Sequence, residues 1–260
     1  MNDPNHRELI LDQFTRQATA FSTAPAITDE EALRLVVEAV RPAADDRLLD
    51  VACGPGLVVC AFAPYIRDAT GIDVTPAMLD RARKLAADKD VTNVDWRRGD
   101  VSSLPYGDAS FTIVTTRFSV HHFVHPAAVL REMVRVCAPG GRIVVVDDYA
   151  SEDPGKAAAF NRLEKLRDPS HVRCLSLTEL KSLFGAVGLP EPEVRFYALR
   201  GDVAGLLARS FPNPGDDLEI IDMFKASAAD DRLGIPVRLD GDQIQYAYPV
   251  AVLAATRPLR

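Results

Sequence analysis

Leu48-Leu49-Asp50-Val51-Ala52-Cys53-Gly54-Pro55-Gly56 is a short apolar run that ends in a glycine-rich turn. An apolar helical segment, residues 57–62, follows directly. A strand that turns into a helix through glycines lets backbone N–H groups approach a ligand closely. In open α/β sheets, ligands bind at the carboxyl ends of the strands. This stretch therefore predicts an α/β fold with a binding site at the turn.

Downstream of this turn, strand-like and helix-like patterns alternate. Apolar runs predict strands at residues 69–73, 94–98, 111–116, 142–147, 193–199 and 243–255, and amphipathic segments predict helices such as 76–88 and 126–136. Such alternation is typical of βαβ units. We predict a doubly wound, Rossmann-like α/β fold whose seven-stranded sheet is mostly parallel, with the last strand antiparallel.

The same patterns predict one domain over residues 1–260. Its expected parts are an N-terminal helical arm (1–42), a ligand-binding core (43–150), cap elements (151–175 and 200–240) and a final strand (243–257). The arm contains two predicted helices, about residues 5–21 and 29–40. Thr28 and Glu31 form a capping-box pattern at the start of the second.

Composition limits the classes of protein to which the chain can belong. Apolar residues make up 47% and charged residues 26% of the chain, the balance of a globular protein. The net charge of −7 supplies no obvious basic face for nucleic acid. No apolar stretch approaches the roughly 20 residues that span a bilayer, and the first residues lack a secretory signal pattern. We expect a cytoplasmic protein that binds neither nucleic acid nor membranes.

No metal site is expected. The four cysteines show neither a CxxC pair nor the spacing of zinc ligands, so they are interpreted as buried residues or free thiols. A weaker alternative is a metal held by His121, His122 and His125, with Asp147 and Asp148 at the next strand end.

Acidic residues at three successive strand ends indicate a nucleoside site. Asp50 precedes the turn, Asp73 can accept both ribose hydroxyls, and Asp100 can meet an adenine edge together with the Val101 N–H group. A dinucleotide site would have a third glycine where this chain has Val59. The Asp50 carboxylate would repel a pyrophosphate but suits an ammonium and a sulfonium charge. The pattern therefore favours S-adenosylmethionine (SAM).

Several motifs resemble class I SAM-dependent methyltransferases, in the branch related to ubiquinone/menaquinone C-methyltransferases. The resemblance covers roughly residues 46–148 and rests on the segments Asp50–Gly56, Gly71–Leu79, Gly99–Val101, Leu104–Tyr106 and Leu130–Gly141. A weaker similarity to a bacterial subgroup of small-molecule methyltransferases rests on His121-His122-Phe123, Asp148–Pro154 and Arg167–Arg173.

The resemblance implies a set of cofactor-binding residues. They are Asp50, Ala52, Cys53, Gly54 and Gly56 around the methionine part, Asp73 on the ribose, Val74, Met78, Asp100 and Val101 around the adenine, and Arg117 and Phe118 near the sulfonium. Ala52 departs from the family pattern, which often has glycine there.

Methyl transfer to a group that must lose a proton needs a general base. His122 and His121 follow the fourth predicted strand, and His171 lies in the predicted cap, so these three are the candidates. Each could instead be a structural histidine. Phe14 and Phe21 in the arm, together with His171 and Tyr149, are candidate contacts of the acceptor.

The resemblance implies an enzyme that transfers a methyl group from SAM to oxygen, nitrogen or carbon of a small organic acceptor and releases S-adenosylhomocysteine. It would act as a monomer or homodimer. An alternative is a SAM-binding protein of the same fold that catalyses a cyclisation or elimination, or that senses SAM. An NAD(P)-dependent oxidoreductase and an RNA methyltransferase fit the residues less well.

Overall fold

The structure is a computed structural model that describes residues 4–259, so the first three residues of the predicted arm lie outside it. Its strands are β1 (Arg47–Val51), β2 (Asp68–Asp73), β3 (Val94–Arg98), β4 (Phe111–Arg117), β5 (Cys137–Asp148), β6 (Glu193–Asp202), β7 (Val237–Asp240) and β8 (Gln243–Thr256). Its helices are α1 (Pro4–Thr23), α2 (Glu30–Val40), α3 (Leu57–Phe62), α4 (Pro76–Asp88), α5 (Pro126–Val136), α6 (Pro154–Arg167), α7 (Leu177–Ala186), α8 (Val203–Ala208) and α9 (Asp216–Asp230).

The strands form one sheet in the order β3-β2-β1-β4-β5-β8-β6. β1 runs parallel to β2 and β4, whereas β8 lies antiparallel between β5 and β6. Residues on β1, β4 and β5, such as Leu49, Val114 and Ile143, are fully buried because helices cover both faces of the sheet. The predicted doubly wound fold, with its antiparallel last strand, is confirmed.

The sheet has an eighth strand that the sequence patterns did not predict. β7 pairs with β8 beside the main path, through the turn Asp240-Gly241-Asp242. Gly241 adopts a positive φ of 58°, which favours glycine in a tight hairpin. Most of β7 is exposed, so it lacks the buried alternation by which the other strands were recognised.

Two local expectations need correction. The N-cap of α2 is Asp29, whose Oδ1 accepts hydrogen bonds from the Glu31 and Ala32 amides, and Thr28 instead donates to the Ala24 carbonyl. The predicted capping box of Thr28 and Glu31 was therefore wrong. α6 was not predicted as a helix, because it buries few side chains and has no clear apolar stripe.

The segments predicted as cap elements pack together beside the sheet. α6, α8, α9 and the start of β8 share an apolar cluster that includes Phe160, Leu206, Ile220, Phe224 and Tyr246. α1 reaches the same region, where Gln17 Nε2 donates to Asp168 Oδ2 over 3.0 Å.

Two further expectations concern cysteines and membranes. All four cysteines are buried and none forms a disulfide, as predicted. Among the described residues, every helix is too short or too polar to cross a bilayer.

Candidate functional site

The turn after β1 is held in an unusual backbone conformation. Ala52, Gly54 and Gly56 all have positive φ values, of 56°, 50° and 80°. An alanine in the left-handed region is strained by roughly 1–2 kcal/mol, a cost that a glycine at position 52 would avoid. The Gly54 N–H donates to Asp73 Oδ2 over 2.9 Å and so ties the turn to the end of β2.

Gly56 has a packing role. A Cβ atom at this position would collide with the Trp96 ring and lie 2.9 Å from Ala82 Cβ. The absence of a side chain therefore lets β3 and α4 pack beneath the turn. Gly56 does not itself line the cavity described next.

A cavity of about 790 Å³, here called the loop pocket, opens above the turn and the carboxyl ends of β1, β2 and β4. The structure brings together ten of the twelve predicted cofactor residues in its lining: Asp50, Ala52, Cys53, Gly54, Asp73, Val74, Met78, Val101, Arg117 and Phe118. Gly56 and Asp100 are the two that do not line it.

One region of the loop pocket contains a buried carboxyl group, that of Asp50, and a buried cation, the guanidinium of Arg117. Asp50 Oδ1 accepts from Thr115 Oγ1 over 2.7 Å, and burial raises the pKa of Asp50 to about 7. Arg117 donates from Nη1 to the Ile27 carbonyl over 3.1 Å. Its Nε and Nη2 atoms are buried and have no partner among the described residues. An acid and a guanidinium with unused donors would fit the ammonium and carboxylate of an amino-acid group.

Asp73 and Asp100 end adjacent strands but are placed differently. Asp73 also accepts from the Thr75 N–H over 2.8 Å, so each of its oxygens holds one backbone amide and faces the pocket with capacity for another donor. Burial raises the pKa of Asp73. Asp100 Oδ1 accepts from both the amide and the hydroxyl of Ser102, which shapes the loop that presents Val101 to the pocket.

A second cavity, here called the histidine pocket, adjoins the loop pocket. Four residues line both cavities: Phe14, Phe21, Phe118 and His122. The rest of its polar lining comes from separate parts of the chain: Gln17, His121, Asp148, Glu164, Arg167, Asp168, Arg209, Tyr246 and Tyr248. Of these, His121 was predicted from the sequence as a candidate base, and Asp148 was named only in the alternative metal site. The others lie on helices and strands whose local patterns do not indicate a common site.

His121 lies in a short 3₁₀ turn after β4 and is paired with two acids of β5. Its Nδ1 lies 2.6 Å from Asp147 Oδ1 and 3.3 Å from Asp148 Oδ1. Although burial opposes ionisation, these carboxylates raise the pKa of His121 to about 9. His121 is therefore protonated at neutral pH and cannot accept another proton.

His122, the next residue, is in the opposite state. Its Nδ1 donates to the Ser170 carbonyl over 3.1 Å, which leaves the lone pair on Nε2. Burial and the charge on His121 lower its pKa, so the ring is neutral. The edge of the Phe14 ring packs against it, with centroids 5.0 Å apart. His122 is thus a neutral imidazole on the wall between the two pockets.

Two other predicted residues lie outside both pockets. His171 is fully buried and donates from Nε2 to Asn161 Oδ1 over 2.9 Å. Tyr149 packs against Phe196 at the sheet edge, with ring centroids 6.1 Å apart. The structure therefore does not bring either residue to the site.

Donor atoms of His121, Asp148 and Cys174 lie within 4.8 Å of one another and could in principle surround a metal ion. Hydrogen bonds already occupy them, because Cys174 Sγ donates to Asp148 Oδ2 over 2.9 Å and His121 donates to Asp147. The three side chains are therefore part of a hydrogen-bonded network that also includes Asp147.

Comparisons with known proteins agree with this architecture. A family model described as a methyltransferase domain matches residues 49–145. The uncharacterised methyltransferase YcgJ of Bacillus subtilis is 37% identical over 186 residues, which cover 72% of this chain and 74% of YcgJ. Its crystal structure superimposes with a TM-score of 0.81, over 88% of this chain and 98% of YcgJ, at 31% identity.

A second relative lies in the branch that the sequence motifs resemble. The ubiquinone/menaquinone biosynthesis C-methyltransferase of Roseobacter denitrificans is 36% identical over 124 residues. That alignment covers 46% of this chain and 49% of the relative.

Proposed function

Since this chain belongs to the SAM-dependent methyltransferases, we propose that it transfers the methyl group of SAM to a small organic acceptor bound in the histidine pocket. The acceptor would be methylated on oxygen, nitrogen or carbon. S-adenosylhomocysteine would be the second product. The loop pocket would hold the cofactor, and the histidine pocket would hold the acceptor.

Different residues of the loop pocket would contact different parts of the cofactor. Asp50 would accept from the ammonium group, and the unused Nε and Nη2 donors of Arg117 would hold the carboxylate. Asp73 would accept from the ribose hydroxyls. Val74, Met78 and Val101 would surround the adenine. The buried Nε and Nη2 donors of Arg117 are the specific feature that fits this ligand, since a buried donor that lacks an acceptor is costly.

SAM supplies a methyl group that its sulfonium already activates. The protein's task is then to align the acceptor and exclude water, and alignment contributes several kcal/mol to catalysis. Phe14 and Phe21 from α1 and Phe118 after β4 line both pockets and would exclude water at the boundary.

Among the three candidate bases, His122 has the best position and charge state. It lines both pockets, it is neutral, and the Ser170 carbonyl fixes the tautomer with a free lone pair on Nε2. His121 would remain protonated beside it, and His171 would stabilise the surrounding fold. The observation that carries the whole proposal is the adjacency of the two pockets, with His122 in their common wall.

Calorimetric titration with SAM, S-adenosylhomocysteine and NADH, each in a separate experiment, tests the cofactor assignment. We expect micromolar binding of both sulfur nucleosides and no binding of NADH. Asp73→Asn should weaken SAM binding by at least about tenfold, equivalent to about 1.4 kcal/mol. Asp68→Asn is the matched control, because Asp68 lies at the other end of β2 and pairs with Arg47 at the surface.

An acceptor screen, with product detection by mass spectrometry, tests the reaction itself. His122→Ala should lower kcat by about 10²–10⁴-fold while SAM affinity stays nearly unchanged. Binding without formation of S-adenosylhomocysteine across the screen would favour the non-methylating alternative. Failure of both sulfur nucleosides to bind would overturn the proposal.

A further inference from the structure

Two adjacent imidazoles of unlike charge line the histidine pocket. The ring centroids of His121 and His122 lie 4.4 Å apart. In each ring Nδ1 is engaged, with Asp147 in one case and with the Ser170 carbonyl in the other. Both rings line the cavity, and the hydrogen bonds that residues 4–259 make to these rings are at Nδ1, not at Nε2. The two Nε2 atoms are therefore the groups that these histidines can offer to an acceptor.

The groups around His121 maintain its positive charge. Asp147 and Asp148 contact its ring from β5, and Glu164 adds a further negative charge from α6. The neighbouring His122 and His171 rings are neutral, since burial lowers the pKa of each. The Nε2–H group of His121 is thus a cationic hydrogen-bond donor in a buried pocket, where such a donor interacts strongly with an oxyanion.

A second cation in the same pocket has only neutral partners. Arg209 donates to the Gly205 carbonyl and to the Tyr246 hydroxyl, each over 2.7 Å. By contrast, the acids of the pocket are engaged, because Glu164 accepts from Arg167 and Tyr248, and Asp168 accepts from Gln17 and Ser170. Among the described residues, Arg209 is therefore a lining cation without an ion pair, whereas each lining acid, Asp148 included, already accepts a hydrogen bond.

We infer that the acceptor is an acidic hydroxyl compound, an enol or a phenol, whose oxygen is bound as an oxyanion by the His121 Nε2–H group. This inference rests on the proposed function and narrows its acceptor. A protonated amine would meet a like charge at His121 and at the sulfonium. An anionic oxygen would meet opposite charges at both.

The weak basicity of His122 favours the same class of acceptor, an acidic hydroxyl compound. Protonation of its Nε2 would place two cations 4.4 Å apart, so His122 is a weak base and can deprotonate only an acidic group. In the reaction, the O–H bond breaks and its proton goes to His122 Nε2, or to solvent if the acceptor binds already ionised. The acceptor oxygen forms a bond to the methyl carbon. The carbon–sulfur bond breaks, and its electron pair remains on sulfur in S-adenosylhomocysteine.

para-Nitrophenol is a suitable probe because its absorbance reports its ionisation. It would be titrated into the complex of the protein with S-adenosylhomocysteine across a pH series, beside para-nitroaniline, an amine of matched shape that stays uncharged and serves as the neutral comparator. We expect the phenol to bind as its anion, with an apparent pKa at least about one unit below that of the free probe, a tenfold preference. The amine should bind at least about tenfold more weakly than the phenolate.

The variant His121→Gln keeps a hydrogen-bond donor but removes the charge, and should abolish the preference for the anion. Its affinity for S-adenosylhomocysteine should be unchanged, because His121 does not line the loop pocket, and this shows that the variant is folded. His125→Gln is the matched control, since His125 is exposed and lines neither pocket.

Three results would overturn the inference while leaving the proposed function intact. The first is binding of the neutral phenol alone, and the second is a preference for the phenolate anion in His121→Gln that equals the preference in the wild type. The third is binding of neither probe to the complex with S-adenosylhomocysteine. If His121→Gln does not fold, the comparison of phenol with amine in the wild-type protein decides. Failure of S-adenosylhomocysteine itself to bind would instead contradict the proposed function.

Discussion

Asp50 is a carboxylate in a position where its own charge destabilises the unliganded fold. It is 2% exposed, and burial raises its pKa from 3.8 to about 7. Because the folded-state pKa is raised, the group favours the folded state below pH 4 and loses that contribution as the pH rises to about 7. Under the proposed function, Asp50 serves cofactor binding at the expense of stability.

Asp50→Asn should therefore stabilise the unliganded protein and weaken SAM binding. We expect the free energy of unfolding to rise by on the order of 1–3 kcal/mol at pH 8, with little change near pH 4. SAM affinity should fall by at least about tenfold. Urea denaturation at the two pH values and calorimetry measure both effects. A loss of stability at pH 8 would contradict the assignment.

His121 should make stability depend on pH in a different window. Its pKa rises from 6.5 to about 9 in the fold, so its contribution is complete below about pH 6.5 and is lost as the pH approaches 9. The shift corresponds to about 3 kcal/mol. We expect the stability advantage of the wild type over His121→Gln to shrink by this order between pH 6.5 and 9.5. The exposed His125→Gln variant should show no such change.

Among the helices, α1 contributes most directly to both pockets. Ile10 lines the loop pocket, and Phe14 and Phe21 line both. Its inner face also buries polar side chains, and Gln17 binds Asp168 while His6 donates to the His122 carbonyl over 2.8 Å. Because three of its apolar side chains line the pockets, we expect the docking of α1 to depend on what the pockets contain.

We expect S-adenosylhomocysteine to protect α1 against limited proteolysis. At a ligand concentration of 100 Kd, tryptic cleavage at Arg16 should slow by up to about 100-fold if release of the helix empties the pocket. Gln17→Ala should speed cleavage without ligand. Cleavage at Arg238, on the exposed strand β7, serves as the internal control. Equal protection at both positions would indicate a general effect rather than docking of α1.

Across the whole molecule, local sequence patterns predicted the sheet and the loop pocket but little of the histidine pocket. The strand at 94–98 and the helices at 76–88 and 126–136 match the structure, because each has its own apolar period and end signals. The histidine pocket instead combines Gln17, Asp168, Arg209 and Tyr246 from distant segments. Their convergence depends on tertiary packing, which no local pattern encodes.

Labelling of the four buried cysteine thiols can report where and when the folded structure opens. Burial raises the pKa of Cys60 to about 11 and that of Cys137 to about 12, so a thiol reagent reacts slowly until the surrounding structure opens. Only Cys53 lines the loop pocket. We expect S-adenosylhomocysteine to slow labelling of Cys53 most, while Cys60, Cys137 and Cys174 report global unfolding. Mass spectrometry of the labelled peptides would then separate ligand release from unfolding in a single experiment, without any engineered label.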